Sequence, residues 1–252
     1  MRGFGKAASS RGLETILKGG GVKGDRASFV QDLLLSASEP NLIGSCLMTT
    51  LEKHEAVKLA VAPTPFVLAD CDLPTPTLCC VTFDDRKAGA LAAERLLKMG
   101  HRKIAYIDML PEHPNRTTRR KAAEEGIAQV GGSLCKLFDL SLEQVAQRVT
   151  ELLREPNRPT AIICGVTAFA DVVVDVARVE RIVIPRDLSV VIIGETEDSA
   201  REWIDHIAMD YEGMGRRALR LLLDEDALVN PRREVVDVWL VTGRSVGPAP
   251  AP

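Results

Sequence analysis

The chain has 252 residues, 46% of them hydrophobic and only 4% aromatic, with a formal net charge of −3. That length suffices for a full core in one large or two small domains, filled by Val, Ile, Leu and Ala rather than by rings. The slightly acidic balance offers no general attraction to nucleic acid or anionic membrane, and there is no run of about eighteen apolar residues to span a bilayer.

The opening MRGFGKAASSRG lacks the apolar centre of a secretory signal, which points to a cytoplasmic product. Gly3 to Arg11 reads as the tail of a helix whose beginning lies outside the sequence. Leu13 to Leu17 reads as a strand and GGGVKGD (19–25) as a loop. Phe29, Val30, Leu33 and Leu34 make one face of a helix over 26–37, and Leu42 to Met48 is a strand. His54 to Val61 is a helix stopped before Pro63 and Pro65, and Phe66 to Ala69 a strand.

The stretch from Val81 to Asp108 carries the fold assignment. A β-branched run ends at Phe83, and Asp84–Asp85 can cap a helix N-terminus. Ala88, Leu91, Ala92, Leu96 and Met99 recur at helical steps, and Gly100 supplies the stop. Ile104 to Ile107 is then a short buried strand. Strand, helix and strand within about thirty residues make a βαβ unit with parallel strands. The fold is expected to be α/β.

Beyond Asp108, the helix start RTTRRKAAEE is expected to present a solvated basic face with one arginine turned inward. Lys136 to Asp139 reads as a strand, and Ser141 with Gln144 as a capping box opening an amphipathic helix to Leu153. Thr160 to Cys164 is a buried strand, 168–179 a helix, and Leu188 to Ile193 a core strand. His206 to Met209 is short and extended, Gly213 to Leu223 a helix, and Val235 to Val241 one alternating strand that closes the fold. The final GPAPAP has no core potential, and 248–252 is expected to be a disordered tail.

The six cysteines (46, 71, 79, 80, 135, 164) form no CxxC pair and read as buried reduced thiols. The four histidines (54, 101, 113, 206) lack ligand spacing, so neither a metal nor a cofactor is expected. No Gly-x-Ser-x-Gly, P-loop or Gly-x-Gly-x-x-Gly stands at a strand–helix junction, and the GGG at 19–21 has no phosphate-loop Lys–Ser after it, so no enzyme is expected. The strands are too many for one sheet, and two doubly wound parallel-sheet lobes are expected. Ligands of such sheets bind outside the carboxyl ends of the strands: Asp70, Phe83–Asp84, Asp108, Gly165–Val166–Thr167 and Gly194–Glu195.

These pieces, in this order, resemble the effector-binding core of the LacI/GalR family of bacterial transcription regulators, whose fold is that of the periplasmic sugar-binding proteins. Val81 to Asp108 is similar to the family's V-x-x-D-N…GH-x-x-I signature, and RPTAIICG (158–165) to its RPTA strand. VIPRDLSVVIIGETEDS (183–199) resembles V-P-x-D-V-S-V-V, HIAMDYEGMGRRALRLLL the return crossing and helix, and LVTGRSV the last strand. The resemblance implies a first lobe of 1–82 and 210–237, a second of 83–209 and 238–247, and a three-crossing hinge at Phe83–Asp84, Met209–Asp210 and near Trp239. It places effector contacts at Arg119, Asp70, Glu195, Thr167, Leu140 and Asp108.

The departures are as specific. Family members begin with a helix-turn-helix head, a hinge segment and a first core strand, and none of these precedes Met1, so the first strand of lobe one reads as missing. Val166–Thr167 stands for the usual Asn-Asp, Gly194–Glu195 for Asp-Asp, and Leu140 for the aromatic that stacks on a sugar. The resemblance implies a homodimer sensing a small sugar-like or nucleoside-like effector and reaching operator DNA through a head outside these residues. The alternatives are a solute-binding protein for transport and a regulator-derived dimerisation domain with a degenerate pocket.

Overall fold

In the computed structural model, which describes residues 2–16, 26–71, 73, 77–109, 113–138, 141–194 and 202–250, the strands collect into two separate sheets. In chain order the elements begin with α1 (Arg2–Ser9), α2 (Arg26–Ser36), β1 (Ser45–Leu47), α3 (Lys53–Ala60), β2 (Phe66–Ala69) and β3 (Cys79–Phe83). Then come α4 (Asp85–Lys98), β4 (Lys103–Ile107), α5 (Pro114–Gln129), β5 (Ser133–Leu137), α6 (Leu142–Arg154) and β6 (Ala161–Cys164). They are followed by α7 (Thr167–Val179), β7 (Ser189–Ile193) and β8 (Asp205–Met209). Last are α8 (Tyr211–Leu222), α9 (Glu225–Val229), β9 (Arg233–Val236) and β10 (Val238–Val241). The chain forms two compact units, Met1–Phe83 with Asp210–Val236 and Asp84–Met209 with Asp237–Pro252, so β3 and β4, expected as the parallel strands of one βαβ unit, fall in different sheets.

The first unit is a four-stranded parallel sheet in the order β1-β2-β3-β9. Its central strands FVLA and CCVTF are buried at every position, the composition of a parallel sheet covered on both faces. Helix α1 lies hard against α8: a Cβ on Gly3 would overlap the Glu212 backbone, and one on Gly215 the Phe4 backbone. Residues 13–16, expected as a strand, carry no regular structure; a strand persists only with a hydrogen-bonded neighbour, and none pairs with them among the described residues. Leu17 and the loop at 19–25 lie outside those residues. Among them no strand precedes β1, which stands at one edge of the sheet and is shorter than the expected 42–48.

The second unit is a six-stranded sheet in the order β10-β8-β7-β6-β4-β5, parallel except for the β8–β10 pair. β7 (SVVII) is wholly buried, and α6 and α7 pack Val145, Val149, Phe169 and Val173 onto one sheet face. Edge strand β5 starts at Ser133, earlier than expected, because its exposed Ser133 and Lys136 hide the strand pattern. The alternating stretch 235–241 is two strands, not one. β9 ends at Val236 parallel to β3, Asp237 takes an ion pair from Lys87 Nζ at 2.5 Å, and β10 runs antiparallel to β8. The chain passes between the two units at Val236–Asp237, two residues before Trp239.

Two buried polar clusters close this unit at the amino ends of its strands. His101 is fully buried. Its Nδ1 accepts from the Thr160 hydroxyl at 2.8 Å, while Nε2 lies 3.1 Å from the Gly247 carbonyl, which can only accept. Nε2 therefore carries the proton. Asp205, also fully buried, receives Arg95 Nε at 2.7 Å and the Ser245 hydroxyl at 3.2 Å. The Ala249 N–H donates to the Met99 carbonyl at 2.8 Å, so the segment expected to be disordered from 248 is tied down that far, and 251–252 lie outside the described residues.

Candidate functional site

The parallel strands of the second unit bring the carboxyl ends of β4, β6 and β7 side by side. Asp108, Gly165–Thr167 and Gly194 stand there, with the N-termini of α5 and α7 following. Asp108 is 2% exposed. Its Oδ1 accepts from the Met109 N–H at 2.8 Å and from Arg116, whose Nη1 also donates to the Gly165 carbonyl at 3.3 Å. Its Oδ2 has no hydrogen-bond partner. That oxygen lies over Gly165, where a Cβ would overlap it, so the glycine is needed for the carboxylate to sit as it does.

Tyr106, two residues upstream, projects to the same face of β4. It is fully buried and meets the Phe138 ring edge-on at 6.5 Å between centroids. Its hydroxyl has no partner either; burial first, and then the Asp108 charge, push its pKa up, so it remains a neutral phenol. The Arg120 guanidinium stacks over Phe138 at 5.4 Å, and its Nε is also buried and unbonded. A buried polar atom without a partner costs about 1–3 kcal/mol. Here one acceptor, one donor and one group that can do either are gathered on a single strand and the helix after it.

The other sequence-derived candidates divide. Arg119 is buried under α4, with its Nε 2.5 Å from Asp85 Oδ1. The helices approach so closely there that a Cβ on Gly89 would overlap the Arg119 carbonyl. Thr167 opens α7, its Oγ1 3.3 Å from where a Gly194 Cβ would stand; Gly194 itself has φ +144°, a conformation that favours glycine. Asp70 belongs to the first unit, at the end of β2. It is half-buried, has φ +55° and donates its N–H to the Val81 carbonyl at 2.9 Å. Leu140 and Glu195 lie outside the described residues.

At the crossings, Asp84 and Asp210 do the same local work. Asp84 Oδ1 accepts from the Lys87 N–H at 2.9 Å and Asp210 Oδ1 from the Gly213 N–H at 2.6 Å, each capping the helix that follows. Phe83 packs edge-on against Tyr211 at 4.8 Å, and Met209 is buried in register with Val238.

The basic start of α5 differs from the expected solvated face with one inward arginine. Arg116, Arg119 and Arg120 are all at least three-quarters buried, each with an anionic or aromatic neighbour. Arg116, Tyr106 and Arg120 were missed as site residues; the readable signal was the three- and four-residue spacing of 116, 119 and 120 on one helical face. Among the described residues no group of three His, Cys, Asp or Glu could hold a metal, and no helix is long and apolar enough to cross a membrane.

Residues 68–246 match the periplasmic binding protein-like domain family. Catabolite control protein A of Priestia megaterium is 27% identical over 178 residues, 68% of this chain and 53% of that protein. The HTH-type transcriptional regulator DegA of Bacillus subtilis is 30% identical over 156 residues, 59% of this chain and 46% of its own. The chain thus spans about half the length of the curated relatives it matches. A LacI family transcriptional regulator from Enterococcus faecium, solved with bound ribose, superimposes with a TM-score of 0.84 at 19% identity, over 98% of this chain and 93% of that one. At that identity the likeness is one of fold.

Proposed function

Because the chain belongs to the periplasmic-binding-protein-like family that forms the effector-binding core of LacI/GalR-type transcription regulators, we propose that it is the sensing and dimerising core of such a regulator. It takes a small sugar-like or nucleoside-like effector and controls DNA binding carried by residues outside these 252. The observation that carries this reading is the Asp108 carboxylate at the strand ends, fixed by Arg116 and Met109 with one buried oxygen unpaired. Such an oxygen is what a ligand hydroxyl or N–H would satisfy, and a polyol or ribose offers several.

In this reading Asp108 and Thr167 contact the effector, with Glu195, Leu140 and Asp70 as further contacts. Arg119 supports the site through Asp85, and Phe83–Asp84 and Met209–Asp210 serve as the hinge. A thermal-shift screen against sugars, nucleosides and sugar phosphates tests it. A true effector adds a few kcal/mol to the stability of the chain at large excess, and the melting temperature rises with the logarithm of its concentration. The same protein should behave as a dimer in sedimentation.

A second reading, a dimerisation domain with a degenerate pocket, is favoured by the burial of Arg119 in its pair with Asp85. It predicts that no compound shifts the melt while the dimer persists.

A further inference from the structure

A different feature lies on the first unit. Where α1 and α8 touch at Gly3 and Gly215, they leave a groove of about 390 Å³ along their outer side. Five cationic side chains, Lys6, Arg11, Arg216, Arg217 and Arg220, line it, with Glu212 as the one carboxylate among the described lining residues. Glu212 is shared across the groove, accepting from Lys6 at 3.0 Å and from Arg216 at 3.1 Å. Outside the lining, Glu234 holds Arg220 at 2.6 Å and Asp210 lies 3.7 Å from Arg216. Among the described residues the five lining cations thus meet three carboxylates, in a chain whose net charge is −3.

Arg11 and Arg217 decide the matter. Their hydrogen bonds go to main-chain carbonyls, Ala7 at 3.0 Å and Val235 at 3.2 Å, and neither has a carboxylate partner among the described residues. Guanidinium groups bind tetrahedral oxyanions through paired N–H donors. The groove is at the small end of the roughly 300–1,000 Å³ that small-molecule sites occupy, a volume suited to a small anion. We propose that it binds a small, multiply charged oxyanion of the phosphate class, with Glu212 as the internal competitor that an incoming anion displaces from Lys6 and Arg216.

Isothermal titration with pyrophosphate, in about 30 mM salt where screening is weak, tests this on the intact chain. The expected result is saturable binding that weakens about ten-fold as salt is raised towards the physiological range. Arg11→Ala combined with Arg217→Ala should weaken it by about ten-fold or more, and Glu212→Gln should tighten it. A gain of affinity cannot come from misfolding, so that variant keeps the test decisive. Asp108→Ala should bind pyrophosphate normally, which separates this site from the effector site. Absence of binding, indifference to the arginine pair, or weaker binding in Glu212→Gln would overturn the proposal. So would a phosphopeptide or duplex DNA that occupies the groove and is not competed by pyrophosphate.

Discussion

Arg119 Nε lies 2.5 Å from Asp85 Oδ1, and both side chains are almost fully buried, at 4% and 8% exposure. The pair joins the first turn of α4 to the middle of α5, at the point where Gly89 lets the two backbones meet. Taking two charges out of water is costly, and the pair offsets this only while both members are present.

Removing one member should therefore be worse than removing both. Arg119→Ala takes the guanidinium away from the buried Asp85 carboxylate and should cost about 3–5 kcal/mol, read by urea denaturation. Arg119→Met with Asp85→Leu, which keeps the volume and removes both charges, should recover most of that loss. Equal destabilisation in the double variant would show that the pair is not the source of the effect.

His101 gives the chain a pH dependence of known sign. Burial lowers its folded pKa below the unfolded 6.5, partly opposed by the Gly247 carbonyl. The unfolded state then binds more protons, so the stability it contributes is present above 6.5 and is lost as pH falls below that value. Melting temperature should drop between about pH 7.5 and about pH 5.5, and His101→Asn should flatten the slope while lowering the whole curve. A wild-type melt unchanged across that interval contradicts the assignment.

How much of this was legible in the sequence depends on how local the cause is. Helix α4 was legible because Asp84, the periodic alanines and leucines and Gly100 each act within one turn of their own position. The split at Asp237 was not, because an alternating pattern fits either sheet and only tertiary pairing selects one. The carboxyl ends of the strands could be named in advance, Asp108 among them. Its tie to Arg116 could not, since it depends on how the turn between β4 and α5 folds back. The Leu13–Leu17 pattern has a strand's composition, but residues 13–16 have no strand beside them among the described residues.

Gly165 should be intolerant of a side chain for a specific reason. A Cβ there would overlap the Asp108 carboxylate, so Gly165→Ala must push that group aside, at about 1–3 kcal/mol. Ligand binding should fall in the same variant. A fully stable Gly165→Ala that binds normally would show that the carboxylate need not sit where it does.

In the proposed function an effector is recognised at the strand ends of the second unit through the unpaired oxygen of Asp108. The most direct measurement compares thermal-shift titrations of the wild-type chain and Asp108→Ala against D-ribose and a panel of sugars and nucleosides, with circular dichroism confirming that both are folded. At least one compound is expected to raise the wild-type melting temperature with concentration and to leave Asp108→Ala unmoved. A compound that shifts both equally, or a panel that shifts neither, would contradict it.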